Sequence, residues 1–219
     1  MMRVEYIHFP SREIRIEFIA TRFRTLLEGK RVLDVGCDEA FLNQKISSMQ
    51  YTGIDIGGNP DIRLDLEKID RLPFDDQIFD TVLCSDVLEH IDNLHLIFGE
   101  LIRVSCRHVV ISLPNNWNCA RLPLQRGRGS FAHYGLPVDP VKDRHKWFFG
   151  FGDAQRFVEG QLNKYPIAIK ETFATEKRRP LPLRLLRRVV HGSQESYLNR
   201  YSNTLWVVFE RRSHEFICH

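Results

Sequence analysis

The chain has 219 residues and is 43% hydrophobic, which is enough apolar content for one domain with a substantial core. Its N-terminal stretch carries charges every few positions and lacks the apolar run of a signal peptide or membrane span, so we expect a cytoplasmic protein. The net charge of +3 hides an asymmetry: residues 1–120 hold 13 basic against 19 acidic side chains (−6), and residues 121–219 hold 18 against 9 (+9). The basic half predicts an anionic partner, or else only a solvated basic surface.

Strands and helices alternate along the first half of the chain. Apolar residues at helical spacing predict a helix over 11–28. Short apolar runs predict strands, with helices between most of them, over 31–35, 51–56, 62–66, 79–86 and 108–114. Several of these strands are apolar on both faces, as buried parallel strands are. The alternation predicts an α/β fold with a doubly wound, mostly parallel sheet.

The second half of the chain is less regular. Residues 115–151 are rich in Gly, Pro, Arg and aromatic residues, and we expect them to form an insert that acts as a binding loop or lid. A helix over 152–163 and strands over 166–174 and 203–211 follow. Residues 177–191 combine six Lys or Arg with leucines and predict a basic amphipathic helix. No linker divides the chain, so we expect one domain over 1–219.

The stretch VLDVGCDEAFL at 32–42 is typical of a loop beneath a nucleotide, because a β-branched run ends in a glycine turn. A dinucleotide fingerprint G-x-G-x-x-G that begins at Gly36 needs glycine at position 38 and glycine or alanine at position 41. The chain has Asp38 and Phe41 there, so dinucleotide binding is disfavoured.

Val32 to Cys37 match the first motif, V-L-D-V-G-C-G-x-G, of the class I S-adenosylmethionine-dependent methyltransferases, and the chain resembles their small-molecule (type 11-like) group over about residues 12–115. Asp38 and Ala40 depart from the motif at its second and third glycines. Aspartate tolerates a left-handed backbone better than most residues, so we expect a working loop, with a lapsed enzyme as the alternative. The resemblance implies a Rossmann-like methyltransferase fold of seven strands with an antiparallel last strand, S-adenosylmethionine as the cofactor and S-adenosylhomocysteine as its product.

The same resemblance assigns the residues that bind the cofactor. Asp55 ends the second strand 21 residues after Asp34, where an acid receives the two ribose hydroxyls. Asp65 matches a position beside the adenine, with a turn cap as its alternative role. Arg15 matches an arginine that holds the cofactor's carboxylate, with an exposed helix arginine as the alternative. The expected set is Arg15, Asp34, Gly36, Cys37, Asp38, Asp55, Ile56, Asp65, Leu66, Ser85 and Asp86.

Asp86, Glu89 and His90 are three and four residues apart and share one face of a predicted helix. In quinone-precursor O-methyltransferases of similar sequence, acids and a histidine in this arrangement are linked to a divalent cation, which oxygen and imidazole ligands suit. Many relatives carry the same Leu-Glu-His without a metal. We therefore expect no metal site.

Methyl transfer from a sulfonium is an in-line displacement, and a hydroxyl acceptor benefits from a histidine base. His145 and His133 in the 115–151 insert are the candidate bases, with a structural role as the alternative for each. Arg121, Arg126 and Arg128 could hold a phosphate or carboxylate, or be solvated loop charges.

We expect methyl transfer to an oxygen of a small or lipid-linked metabolite, such as a glycan or quinone precursor, which the basic half suggests is anionic. The 177–191 helix either docks on the sheet or makes peripheral membrane contact that reaches a lipid-linked acceptor. The alternatives are a nucleic-acid methyltransferase and a non-catalytic binding module. Nucleic acid is disfavoured, because the chain lacks the Asn or Asp-Pro-Pro-Tyr/Phe signature. The oligomeric state is not predicted.

Overall fold

The strands form one sheet in a computed structural model that describes residues 2–131, 133–139 and 144–212. The sheet has eight strands in the order β1-β7-β8-β6-β5-β2-β3-β4. β8 is antiparallel to both of its neighbours, and the other neighbouring strands are parallel. The strands are β1 (Arg3–Glu5), β2 (Arg31–Val35), β3 (Gln50–Asp55), β4 (Ile62–Arg63), β5 (Phe79–Ser85), β6 (Ser105–Pro114), β7 (Ile167–Glu176) and β8 (Ser202–Arg211).

Helices connect the strands and cover both faces of the sheet. They are α1 (Arg12–Arg22), α2 (Arg24–Leu27), α3 (Phe41–Lys45), α4 (Leu94–Val104), α5 (Asn116–Arg126), α6 (Phe151–Gln161), α7 (Leu181–Val190) and α8 (Gln194–Tyr201), with short 3-10 turns at Leu66–Lys68 and Leu88–His90. Among the described residues, no helix combines the length and the apolar character that crossing a membrane requires.

Two hydrophobic clusters lie on the two faces of the sheet. On one face, α1, α2 and α3 pack on an aromatic group in which Phe173 and Trp206 stack with their ring centroids 6.3 Å apart. On the other face, α4, α6 and α8 bury the larger cluster, which includes Phe98, Phe151 and Phe209. Burying apolar surface on both sides of the sheet stabilises the strands and fixes where their carboxyl ends meet.

The predicted α/β fold, with its doubly wound, mostly parallel sheet and antiparallel last strand, is confirmed, but the count of seven strands is wrong. The eighth strand is β1, an edge strand of three residues that pairs with β7. Its charged sequence, Arg-Val-Glu, gave no strand pattern. The strand predicted over 62–66 is only the two-residue β4, because the chain turns into a 3-10 helix at Leu66.

The insert is more regular than its composition indicated. Its first part forms α5, which ends at Gly127 with a left-handed φ of 61°. Two helices lie between β7 and β8, where one was predicted: α7, within the basic stretch, and α8, whose N-terminus is capped by the Ser193 hydroxyl. Residues 132 and 140–143 of the insert lie outside the described residues. The assignment of the whole chain to one domain remains a prediction.

Candidate active site

The carboxyl ends of β2, β3 and β5 lie side by side at Val35, Asp55 and Ser85, and we call the space outside this edge of the sheet the crevice. Ligands of open α/β sheets bind outside this edge. The loop after β2 therefore stands at the position where the sequence predicted a nucleotide site.

The loop after β2 has a left-handed backbone at every second residue. The φ angles are 77° at Gly36, 50° at Asp38 and 53° at Ala40. These are the three positions at which the motif would place glycine, so the chain keeps the loop conformation with one glycine. At Gly36 a side chain would force Val87 to move, because a Cβ atom there would lie 2.2 Å from Cγ2 of Val87.

The carboxylate of Asp55 joins this loop to the loop after β3. Its Oδ2 accepts a hydrogen bond from the backbone N–H of Asp38, and its Oδ1 accepts one from Gly57, both at 2.8 Å. The carbonyl of Asp38 in turn accepts from the backbone N–H of Asn59 at 2.8 Å. Each carboxylate oxygen can accept a further hydrogen bond, so Asp55 retains capacity for a pair of ligand hydroxyls.

Gly58 is a site residue that sequence reasoning missed. Its φ is 61°, and a Cβ atom there would lie 2.2 Å from the carbonyl oxygen of Asp38. Glycine thus allows the two loops to touch. The signal was present in the Gly-Gly-Asn-Pro run after Ile56, a strong turn sequence. Ile56 itself is 64% exposed beside Asp55 and offers an apolar surface to a ligand.

Asp34 lies beneath the loop. It is buried and accepts a hydrogen bond from the hydroxyl of Tyr51 at 2.9 Å. Burial raises the pKa of the Asp34 carboxyl to about 7, while the Tyr51 hydrogen bond lowers it and the charge of Asp55 raises it further. Burial likewise raises the pKa of the Cys37 thiol to about 12, so this sulfur stays protonated. Both residues support the loop from inside.

The residues that follow β4 make local contacts. Asp65 caps the 3-10 turn, where its Oδ1 accepts from the backbone N–H of Glu67 at 3.1 Å and its Oδ2 lies 2.8 Å from the Lys68 ammonium. The carbonyl of Leu66 accepts from Asn93 at 2.8 Å. The capping role is thus formed, and the assignment of Asp65 and Leu66 to adenine remains a prediction.

Asp86 bridges the crevice from the end of β5. It has a φ of 53°, and its Oδ1 accepts from the Ser112 hydroxyl at 2.5 Å. Ser112 and Ser85 are register partners whose hydroxyls are 2.9 Å apart. The other oxygen of Asp86 forms an ion pair with Arg15 of α1.

Two arginines of α1 reach the crevice. Arg15 pairs with Asp86, and Arg12 pairs with Asp38. Burial lowers the pKa of Arg15, and the negative charge of Glu89 opposes that shift. Both ion pairs therefore join α1 to the crevice, and Arg15 connects it electrostatically with Glu89.

Three histidines meet next to Glu89. The ring centroids of His133 and His145 are 4.3 Å apart and nearly parallel, and those of His90 and His145 are 4.5 Å apart. His145 is buried, and His133 is exposed. We call these three residues the histidine cluster. His133 and His145 are the bases predicted from the sequence, and in the structure both lie beside His90.

Backbone contacts of the returning insert position the histidine cluster. The carbonyl of Glu89 accepts from the backbone N–H groups of Lys146 and Trp147, at 2.8 and 3.3 Å. The indole N–H of Trp147 donates to the carbonyl of Ile91 at 2.7 Å. These contacts fix the segment that follows His145 against the 3-10 turn, so the position of His145 does not depend on its own side chain.

Nδ1 of His145 has two neighbours, the Asn116 amide nitrogen and the Tyr134 hydroxyl, each at 3.2 Å. When Nδ1 carries the proton it can donate to Tyr134, and Nε2 is then able to accept a proton. When Asn116 donates to Nδ1, the proton is on Nε2. The site therefore couples the tautomer of His145 to its hydrogen-bond partner.

Glu89, His90 and His145 each offer a ligand atom, and these atoms all lie within 4.8 Å of one another. Two imidazoles and a carboxylate are a chemically suitable set for a divalent ion. The members differ from the predicted trio, because Asp86 is engaged by Arg15 and Ser112 and is replaced by His145. The expectation of no metal remains a prediction.

A cavity of about 720 Å³ lies between α5 and α8. Its wall includes Phe148, whose ring is 5.0 Å from that of Tyr134, and Tyr134 reaches His145. The lining residues are Trp117, Ala120, Arg121, Leu124, Phe148, Ser193, Glu195, Ser196, Asn199 and Arg200. A volume of several hundred Å³ suits a small organic molecule. Of the three arginines predicted to hold an anion, only Arg121 lines the cavity.

Comparisons with known proteins identify the sequence family. A family model described as "Methyltransferase domain" matches residues 6–150, a span that includes both the crevice and the histidine cluster. In the search of curated proteins, none matched the chain.

Several solved structures are similar in fold. Magnesium protoporphyrin IX methyltransferase from Synechocystis PCC 6803, with bound SAH, is 18% identical with a TM-score of 0.52, over 92% of this chain and 83% of that one. The small RNA methyltransferase HEN1 is 17% identical with a TM-score of 0.58, over 99% of this chain and 27% of that one. The [4+2]-cyclase SpnF is 14% identical with a TM-score of 0.54, over 91% of this chain and 81% of that one. At such identities the likeness shows the fold alone.

The left-handed loop makes a prediction about stability. Ala40→Gly should stabilise the protein by up to about 1 kcal/mol in urea unfolding, because alanine is strained at positive φ. Asp38→Gly should change stability by less than about 0.5 kcal/mol, since aspartate tolerates this conformation. Gly36→Ala is the opposing control, and it should lower the free energy of unfolding by several times the amount that Ala40→Gly raises it. A destabilised Ala40→Gly protein would contradict the loop conformation.

The raised pKa of Asp34 makes a prediction about pH. A carboxyl whose pKa rises from 3.8 to about 7 on folding stabilises the fold below pH 4 and loses that contribution as the pH rises through 7. The full loss is on the order of 4 kcal/mol. Asp34→Asn, a neutral isostere, should therefore gain stability relative to the wild type between pH 5 and 8, measured as the free energy of unfolding. Parallel curves for the two proteins would contradict this.

Proposed function

The chain belongs to the class I S-adenosylmethionine-dependent methyltransferases, and from this premise we propose that it transfers a methyl group to a hydroxyl of a small, anionic metabolite. S-adenosylmethionine is the cofactor, and S-adenosylhomocysteine is the product. One observation carries the proposal: the cofactor crevice and the histidine cluster adjoin, because Asp86, which pairs with Arg15, lies three residues before Glu89, whose carboxylate is within 4.8 Å of the ring nitrogens of His90 and His145. A methyl donor and a proton acceptor would thus face the same acceptor molecule.

The crevice fits the adenosine part of the cofactor. Asp55 has acceptor capacity on both oxygens for the ribose hydroxyls, and Ile56 is an exposed apolar neighbour for the adenine ring. The left-handed turn at Gly36 leaves no side chain above the end of β2. We propose that these residues hold the nucleoside, with Asp34 and Cys37 supporting the loop.

The two ion pairs at the crevice fit the charged part of the cofactor. The methionine portion carries a carboxylate and an ammonium, next to the sulfonium that supplies the methyl group. We propose that Arg15 exchanges its contact with Asp86 for the cofactor's carboxylate, and that Asp86 and Asp38 then face the positive groups. The exchange replaces one ion pair by another, so little electrostatic energy is lost.

The acceptor would enter between the insert and α8. The cavity there has aromatic walls, Trp117 and Phe148, and two cations, Arg121 and Arg200, against the single acid Glu195. Such a lining suits a ring that carries a carboxylate or phosphate. We propose that His145, or His133 beside it, takes the proton of the acceptor hydroxyl as the methyl group is transferred.

Glycan and quinone precursors are the acceptor classes we favour, free or linked to a lipid. The rival acceptor is nucleic acid, which the basic half and the fold likeness to a small RNA methyltransferase suggest. A second rival is a different activity on this fold, since one structural neighbour is a [4+2]-cyclase. A cytoplasmic location remains part of the proposal.

Calorimetry and a transfer assay test the proposal together. Titration with S-adenosylmethionine and S-adenosylhomocysteine should show saturable binding of both. Labelled methyl groups should then move to members of a panel of sugar acids, nucleotide sugars and hydroxybenzoates. Transfer to transfer RNA alone would favour the nucleic-acid rival. Donor binding without transfer to any acceptor would favour a binding module.

Removing the carboxylate of Asp55 should weaken donor binding. Asp55→Ala is expected to lose about 1.5 to 3 kcal/mol of S-adenosylhomocysteine affinity by calorimetry, because charged hydrogen bonds to the ribose are lost. Asp61→Ala is the matched control, since Asp61 also accepts a backbone N–H, from Gly53 at 2.7 Å, without ending β3. The 2′-deoxy analogue of S-adenosylhomocysteine should bind the wild type more weakly than S-adenosylhomocysteine does. The Asp55→Ala protein should bind the two ligands with equal affinity. If removal of the 2′-hydroxyl lowers the affinity equally in both proteins, Asp55 does not contact the ribose.

Replacing His145 should slow transfer without changing donor affinity. His145→Asn is expected to lower the rate with a hydroxyl acceptor by roughly 10² to 10⁴, the usual contribution of a general base. His133→Asn, on the exposed side of the histidine cluster, should lose less. Wild-type activity should survive EDTA. Loss in EDTA that is restored by a divalent metal would instead favour a metal-ligand role for His145, and an unchanged rate in both variants would exclude His145 and His133 as the base.

A further inference from the structure

The helix α7 exposes its apolar face, whereas an ordinary amphipathic surface helix buries it. Its apolar side chains are exposed: the exposed fractions are 55% for Leu185, 60% for Leu186 and 80% for Val189. Its arginines at 184, 187 and 188 share the opposite face by their spacing, with Arg184 and Arg187 partly buried and Arg188 exposed. The idea that the leucines dock on the sheet is therefore wrong.

Tyrosines hold the arginine face of α7. The guanidinium of Arg184 lies 3.4 Å from the ring centroid of Tyr6, and that of Arg187 lies 4.2 Å from that of Tyr201. Arg188 stands 5.2 Å from the ring of Tyr197. Each distance is within the range of a cation–π contact. These contacts orient the helix, so the outward position of its leucines follows from how α7 is bound.

The exposed apolar surface covers most of the helix. At 3.6 residues per turn the apolar positions span an arc of roughly 200°. That surface, which we call the α7 apolar face, consists of Leu181, Pro182, Leu183, Leu185, Leu186, Val189 and Val190. An arc this wide is broader than the seam of a coiled coil and typical of a helix lying in a membrane interface.

The charges beside the apolar face select the kind of surface that would cover it. Lys177, Arg178 and Arg179 precede the helix and are all exposed, and the segment 177–191 contains no acidic residue. Basic residues adjoining an apolar helix face are complementary to anionic lipid headgroups. A ten-residue helix is about 15 Å long, whereas a stable protein interface needs roughly 800 Å² on each side, a patch about 28 Å across. The helix alone is thus too small for a dimer contact.

We propose that α7 is an interfacial helix that docks this protein on an anionic membrane surface, with the α7 apolar face among the acyl chains and 177–179 at the headgroups. The helix follows the carboxyl end of β7. Because β7 and β6 are both antiparallel to β8, and β6 is parallel to β5, this end of β7 lies at the same sheet edge as the crevice. Docking does not depend on the reaction. Resting on the proposed function, it would bring lipid-linked acceptors to the cavity, whose Arg121 shares the Tyr201 ring with Arg187.

Vesicle sedimentation tests the docking without cofactor or acceptor. The full chain should bind phosphatidylcholine vesicles that contain phosphatidylglycerol, and binding should weaken in high salt and in vesicles of phosphatidylcholine alone. The double variant Leu185→Glu/Leu186→Glu should bind more than about tenfold more weakly. Leu96→Glu is the matched control, because Leu96 is an exposed leucine of α4, with 38% of its surface exposed. It should bind like wild type.

A second variant guards against an effect on folding. Arg178→Gln/Arg179→Gln leaves α7 and its tyrosine contacts unchanged and should weaken binding roughly fivefold for each removed charge. Circular dichroism should match wild type in every variant, and donor binding by calorimetry should be unaltered, which separates failure of docking from failure of the proposed function. The proposal is overturned if wild type does not bind the anionic vesicles, or if the leucine variant binds them equally well. It is also overturned if sedimentation velocity shows that the wild type is a dimer and the leucine variant is a monomer, because a second copy of the chain then covers the α7 apolar face.

Discussion

The site depends on one carboxylate that connects two loops. Asp55 accepts backbone hydrogen bonds from Asp38 and Gly57, so the loops that follow β2 and β3 hold each other in place. The left-handed angles at Gly36, Asp38 and Ala40 persist because the surrounding sheet and this contact over-determine them. The crevice is therefore formed by the backbone, which explains how the loop keeps its geometry after two of three glycines have been replaced.

The histidine cluster is built differently, from contacts between distant parts of the chain. The carbonyl of Glu89 holds the backbone at Lys146 and Trp147, and this places His145 against His90. The same 3-10 turn follows Asp86, which closes the crevice with Arg15. The crevice and the histidine cluster thus share one short segment, residues 86–90.

The sequence was informative wherever the signal was local. The apolar runs at 31–35 and 79–86 predicted β2 and β5, and the motif ending at Cys37 predicted the loop. The contact of His90 with His133 and His145 could not be predicted from the sequence, because it depends on backbone hydrogen bonds between residues more than 50 positions apart. The orientation of α7 was hidden for the same reason: its periodicity is amphipathic, but tyrosines from other elements decide which face is buried.

The central claim is that the Asp55-braced crevice receives an adenosyl sulfonium despite Asp38. A crystal structure with S-adenosylhomocysteine tests it most directly. The account predicts ribose hydroxyls on both oxygens of Asp55, adenine against Ile56, and Arg15 moved from Asp86 to the ligand's carboxylate. A crevice that excludes the ligand at saturating concentration, with Arg12 still on Asp38 and Arg15 still on Asp86, would contradict it.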